Sequence, residues 1–110
     1  MFILYPDFEK VEMRVGLIVE VDEFLKAKKP AYKLKVDFGE LGIKKSSAQI
    51  TVNYTKEELI GRQVIAVVNF PPKQIADFIS EVLVLGINDE NGNVVLLQPD
   101  KKVKLGEKIY

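Results

Sequence analysis

The sequence has no cysteine and no histidine, and its charge is balanced, with 16 lysines and arginines against 16 aspartates and glutamates. Without cysteine there is no disulfide framework and no thiolate site. Without histidine the commonest general base, metal ligand and pH-responsive side chain are all missing. A net charge of zero argues against a uniformly basic surface. Any phosphate-binding region therefore has to be a local patch, with the acidic residues placed elsewhere. No apolar run approaches the roughly 18 residues of a membrane span, and the opening Met1 to Asp7 lacks the basic and long apolar regions of a signal peptide. The expectation is a soluble, cytoplasmic protein with no membrane insertion.

What is present is an ordinary globular composition, 47% hydrophobic and 29% charged over 110 residues, which predicts one domain spanning 1–110. No catalytic constellation emerges. The serines have no histidine to activate them, and nothing resembles a nucleophile elbow. Lys45 and Ser46 are adjacent, so on a strand they point to opposite faces and cannot act as a pair. Asp89 to Asn93 lacks the alternating oxygen ligands and closing glutamate of a calcium loop, and no phosphate loop or dinucleotide fingerprint occurs. Neither a catalytic site nor a metal or cofactor is expected, and an enzyme is not the reading.

The patterning is that of strands. Val64 to Val68 are five consecutive apolar residues ended by Pro71-Pro72, a run expected of a central strand buried on both faces. Glu81 to Leu85 begins a second apolar strand, and the polar stretch between the two carries Asn69, Lys73, Gln74, Asp77 and Ser80. It is either a solvated connection or a binding loop held between rigid strands. From Val11 to Val21 apolar residues recur at every second position, and Gly16 within that strand marks a bulge or bend. Lys26 to Pro30 forms a basic loop, either a solvated turn or part of a phosphate-contacting patch. Tyr32, Leu34, Val36 and Phe38 alternate with charged residues in another strand, and Gly39 and Gly42 bracket a turn. Lys44 to Val52 is a weaker strand with small residues in its middle. Thr55 and Glu58 are spaced as a capping box, predicting a short helix over Thr55 to Ile60 closed by Gly61. Asn91-Gly92 between apolar runs signals a hairpin, and Val103 to Ile109 offers one or two edge strands. Five or more strands, short connections and one small helix predict an all-β protein, a closed or partly closed five-stranded antiparallel barrel with the helix between strands.

Such barrels bind extended ligands on one face and its loops. Arg14, Lys28, Lys33, Lys35, Lys44, Lys45, Arg62 and Lys73 are the candidate cations. Tyr32, Tyr54 and Phe70 are either stacking platforms or core. The terminal cluster Phe2, Ile3, Leu4 and Tyr5 is expected to pack on the protein's own core or on a second subunit.

Several blocks resemble the tRNA-binding domain appended to some aminoacyl-tRNA synthetases and found alone as small dimeric proteins. They are Arg14-Val15-Gly16, Lys33 to Gly39, Tyr54 to Arg62, and Val67 to Lys73. Lys29 to Leu34, Lys45 to Thr51 and Ser80 to Gly86 are most similar to the CsaA-type secretion chaperones of that family. The resemblance runs from Asp7 onward. It implies an OB-fold, a five-stranded Greek-key barrel with short terminal extensions, and a homodimer whose interface is built near the termini, which gives Phe2, Ile3 and Leu4 a place beside it. It also implies binding of unfolded preproteins or peptides, in association with the protein-export machinery, and of tRNA. Where tRNA-binding relatives continue past Asn-x-x-Pro-Lys with further basic residues, a glycine and Ser-x-x-Met, this chain has Gln74-Ile75-Ala76-Asp77-Phe78, then Ser80 with Leu83 for the methionine. Fewer cations mean fewer neutralised phosphates, while Ile75, Phe78 and Ile79 suit apolar peptide contacts or the core.

The resulting expectation is a non-enzymatic, chaperone-like protein for unfolded or export-destined polypeptides. Its ligand contacts are placed at Ser47, Gln49, Asn69, Lys73, Phe78 and Ser80. The alternative is a tRNA-binding protein acting in trans through Arg14, Lys33, Lys35, Lys45 and Lys73 on the barrel face.

Overall fold

The computed structural model describes residues 1–110. A short helix, α1 (Tyr5–Glu9), leads into the long strand β1 (Met13–Glu23), followed by β2 (Tyr32–Asp37) and β3 (Ile43–Ala48). Helix α2 (Lys56–Leu59) precedes β4 (Gln63–Val67). Four short strands come next: β5 (Lys73–Ile75), β6 (Phe78–Ser80), β7 (Leu83–Val84) and β8 (Gly86–Asn88); β9 (Val94–Leu96) is the last. One antiparallel sheet carries the order β3-β2-β1-β4-β7. It curls until its ends meet, where the amides of Glu81 and Val82 both donate to the Lys45 carbonyl, at 2.7 and 3.3 Å. The chain thus forms the expected all-β, five-stranded OB-type barrel, with α2 between β3 and β4. No helix is long and apolar enough to cross a membrane.

The interior is filled from alternate positions of the strands. On β2, Leu34 and Val36 are buried while Lys33 and Lys35 face outward, as period-two patterning requires. Ile18, Val64, Ala66 and Phe38 complete the middle of the core. The capping box forms as the spacing dictates: Thr55 Oγ1 accepts the Glu58 amide at 3.2 Å and Glu58 Oε1 accepts the Thr55 amide at 2.9 Å. That turn places Leu59, fully buried, as a plug in the barrel, and Gly61 takes the left-handed conformation, φ 87°, that ends it. The Asn91-Gly92 turn closes the β8–β9 hairpin with Gly92 at φ 80°.

Several local expectations are corrected. The bulge in β1 is not at Gly16. The register shifts between Ile18 and Glu20, leaving Val19 as the extra, exposed residue and turning Ile18 into the core. Gly16 instead permits close packing, since a Cβ there would lie 2.5 Å from Val36 Cγ1. The polar stretch after Pro72 is an ordered hairpin, β5–β6, forming its own two-stranded sheet. The apolar run at Glu81–Leu85 supplies only the two-residue β7. The Leu85 amide still bonds Ile65, but the chain then leaves β4 to pair with β9. β3 stops at Ala48, and Val103–Ile109 forms no strand. That segment runs beside β1 through bonds from Val15 to Glu107, Gly106 to Val15 and Ile109 to Met13.

Candidate ligand-binding face

Register decides which outward residues meet. Lys33 stands opposite Asp22 on β1 and Ser47 on β3; Lys35 stands opposite Glu20 and Lys45. The outer face therefore grades from acidic on β1 to basic on β2 and β3. Lys35 Nζ lies 2.9 Å from Glu20 Oε2, and this hydrogen bond to the carboxylate raises its pKa above the ordinary lysine value. Lys33 turns the other way. Its ammonium lies 5.2 Å from the centre of the Phe24 ring and 5.7 Å from that of Phe78, and Lys45 Nζ lies 5.5 Å from the Phe78 ring. The two rings pack on each other at 5.4 Å with a 59° tilt.

Phe78 comes from the β5–β6 hairpin, which leans on the barrel through side chains. The Ser47 amide reaches Ser80 Oγ at 3.4 Å, and Lys26 Nζ on the β1–β2 loop lies 3.0 Å from Asp77 Oδ2 at the hairpin tip. Hydrogen bonding to Lys26 holds the Asp77 carboxyl below its usual value. Ala76, beside it, adopts φ 54°, a left-handed conformation unusual for an alanine. Between hairpin and barrel edge lies a cleft of about 290 Å³. Phe70, Pro71, Ile75, Val82 and Leu83 wall it, with Ser47, Lys73 and Ser80 on its polar side. Phe70 and Leu83 are about half exposed there. The Glu81 carboxylate at its border accepts the Lys45 amide at 3.0 Å, so it is held by main chain.

The structure brings Ser47, Lys73 and Ser80 to this cleft and Phe78, Lys33 and Lys45 to the aromatic cluster beside it. Gln49 lies in a neighbouring hollow with Lys28, Lys29 and Ala76, and the two share Ile75. Asn69 faces elsewhere: Nδ2 donates to the Lys10 carbonyl at 2.7 Å and Oδ1 accepts the Glu12 amide at 3.0 Å, fastening the N-terminal segment. Arg14 is likewise committed, to Glu12 Oε1 and the Gly106 carbonyl. Tyr32 and Tyr54 are not stacking platforms. Tyr32 is buried and its hydroxyl donates to the Tyr54 carbonyl; the Tyr54 hydroxyl accepts the Leu96 amide, and Arg62 covers its ring. Phe2, Ile3 and Leu4 are exposed and none of them joins the core of this chain. Sequence reasoning missed Phe24 and the Lys26–Asp77 pair, whose partners are more than fifty residues away and carry no local signal.

Residues 13–108 match the family model described as a putative tRNA binding domain. Methionine–tRNA ligases of Pyrococcus abyssi and Methanocaldococcus jannaschii are both 38% identical, over 99% and 92% of this chain. The chain spans only about 15% of their length. A CsaA chaperone protein from Picrophilus torridus is 60% identical with a TM-score of 0.93, covering 99% of this chain and 100% of that one. The chaperone CsaA of Bacillus anthracis is 52% identical with a TM-score of 0.94, covering 100% of each chain.

Proposed function

From the premise that this chain belongs to the tRNA-binding domain family and is of the CsaA type within it, we propose that it is a non-enzymatic, chaperone-like binding protein for unfolded or export-destined polypeptides, working as a cytoplasmic homodimer. A role in tRNA binding or chaperoning is supported by the family and by the CsaA relatives. The observation that favours polypeptide is the cleft between the β5–β6 hairpin and the barrel. It is walled by five apolar side chains, is open to solvent, and at about 290 Å³ suits one or two apolar side chains. A non-native chain exposes such side chains and a folded one hides them. Each CH₂ moved from water into the cleft is worth about 0.8 kcal/mol, so the cleft distinguishes the two by burial alone.

A second reading, tRNA binding in trans, has its own observation. Lys33 and Lys45 lie on one face without a carboxylate partner, and Lys73 lines the cleft nearby. Its weakness is the count of cations, since Arg14 and Lys35 are already paired.

The deciding experiment measures tRNA binding across a salt series, with a labelled, chemically unfolded polypeptide as competitor. Polypeptide binding that is weakened by Phe70→Ser and Leu83→Ser, beside weak tRNA binding, is the expected result. Both residues are half exposed, so the fold survives the changes. Tight tRNA binding with a steep salt dependence, abolished by Lys73→Glu, overturns the first reading in favour of the second.

A further inference from the structure

The lysines on this side of the barrel fall into two kinds. Lys35 and Lys26 are paired with Glu20 and Asp77. Lys33 and Lys45 are within ion-pair distance of no carboxylate, and their ammonium groups lie over Phe24 and Phe78. Asp22 stands directly opposite Lys33 in the strand register, yet the lysine turns to the rings. A ring attracts a cation without cancelling its charge. Two positive charges, neither in a salt bridge, are thus held in place beside an apolar cleft; Asp77, already bonded to Lys26, feels the charge of Lys33, and Glu81 at the cleft border is taken up by the Lys45 amide.

We propose that cleft and lysines act together to select polypeptide segments in which an apolar side chain lies two residues from a carboxylate. The inference rests on the polypeptide-binding reading above. The apolar side chain enters between Phe70, Ile75 and Leu83, and the carboxylate is received by Lys33 and Lys45. The spacing comes from the strands. Ser47 lines the cleft, Lys33 is its cross-strand partner, and Lys45 lies two positions away on the same face of β3. Same-face positions on a strand are about 6.7 Å apart, and an extended ligand advances by the same amount over two residues. Lysine-rich segments are disfavoured at the same place by like-charge repulsion. At the two lysines RNA fits less well, because base recognition on single strands uses open aromatic faces. Phe78 already has Phe24 against it and both ammonium groups over its ring.

The test uses short, fluorescein-labelled glycine-serine peptides, each with one leucine flanked two positions away on both sides by Asp, Asn or Lys. Fluorescence anisotropy is read with the full chain, with Lys33→Gln, and with the Lys33→Gln/Lys45→Gln double variant. The expected result is binding of the Asp peptide about fivefold tighter than the Asn peptide, the size two partly exposed ion pairs supply. The Lys peptide binds weakest. In the double variant the Asp and Asn peptides bind equally and the Asn peptide keeps its wild-type affinity; Lys33→Gln alone falls between. Equal binding of Asp and Asn peptides to the wild type, both weakened by Phe70→Ser, overturns the selectivity and leaves polypeptide binding standing. Binding of no peptide overturns both. A single-stranded RNA that binds more tightly than the Asp peptide, and loses its affinity in the double variant, assigns the lysines to phosphates and overturns the proposal.

Discussion

Lys26 and Asp77 join the β1–β2 loop to the tip of the β5–β6 hairpin through an Nζ to Oδ2 contact of 3.0 Å. Fifty-one positions apart in sequence, they are the charged half of a clasp whose apolar half is the packing of Phe24 on Phe78. The hairpin carries Phe78, Lys73 and Ile75, so the clasp controls how the cleft wall is held.

The pair makes hairpin order pH-dependent, with a definite sign. The Lys26 hydrogen bond lowers the Asp77 pKa in the folded chain relative to its ordinary value of 3.8. A carboxyl that ionises more easily when folded stabilises the fold above its unfolded pKa, and that contribution disappears as pH falls through the lowered folded value. Nuclear Overhauser contacts between the Phe24 and Phe78 rings are expected to weaken as pH drops from about 5 to about 2. Asp77→Asn shows the weakened contact throughout, with no further change over that range. A wild-type contact indifferent to pH shows that the Lys26–Asp77 pair does not hold the hairpin.

Gly16 is predicted to resist substitution. A Cβ there would sit 2.5 Å from Val36 Cγ1 and 2.7 Å from Phe38 Cε1, and both partners are fully buried. Neither side chain has room to withdraw, so Gly16→Ala is an overpacking change costing about 1–3 kcal/mol. For a domain of this size each kcal/mol lowers the melting temperature by about 4–8 °C, which calorimetry resolves. An unchanged melting temperature means the core can yield where the packing says it cannot.

Ala76 offers the opposite case. An L-residue in the left-handed region costs about 1–2 kcal/mol, and at φ 54° Ala76 is the only residue other than glycine with positive φ. Gly relieves the strain but adds freedom to the unfolded chain, so Ala76→Gly is expected to gain no more than about 1 kcal/mol. The gain appears as slower amide exchange at Ile75 and Phe78, the pair that closes the turn. Faster exchange there shows that the alanine conformation is not strained.

These sites also show where the sequence was legible. β2 and the Thr55 cap rest on local rules, alternation and a three-residue spacing, and both form as read. The β5–β6 hairpin was hidden because its turn is Ala76-Asp77, with no glycine or Asn-Gly pair to mark it, and Ala in a left-handed position runs against propensity. The bulge at Val19 carries no sequence signal, because valine is a good strand former and keeps the alternation of its neighbours. Lys33 and Lys35 are alike in sequence. Only the register, which sets Lys35 beside Glu20, and the distant Phe78 give them different partners.

Phe2, Ile3 and Leu4 supply the last prediction. They are contiguous, apolar, and 101%, 63% and 73% exposed. Their segment is nonetheless held in place, because the Asp7 carboxylate accepts the Leu4 amide and Asn69 binds the Lys10 carbonyl and Glu12 amide. An apolar cluster held out from the surface gains by burial against another chain, and a second copy of this protein is the partner proposed. Burying each of these side chains is worth about 1.5 kcal/mol or more. The Phe2→Ser/Ile3→Ser/Leu4→Ser variant, which loses the cluster from both protomers, is therefore expected to weaken dimerisation by about a thousandfold or more while leaving circular dichroism unchanged, since none of the three belongs to the core. Sedimentation equilibrium at micromolar concentration reads the outcome directly. A dimer mass for the wild type and a monomer mass for the variant support the interface. A monomeric wild type overturns the dimer itself, and a variant that stays dimeric places the contact elsewhere; either leaves the N-terminal cluster without a partner.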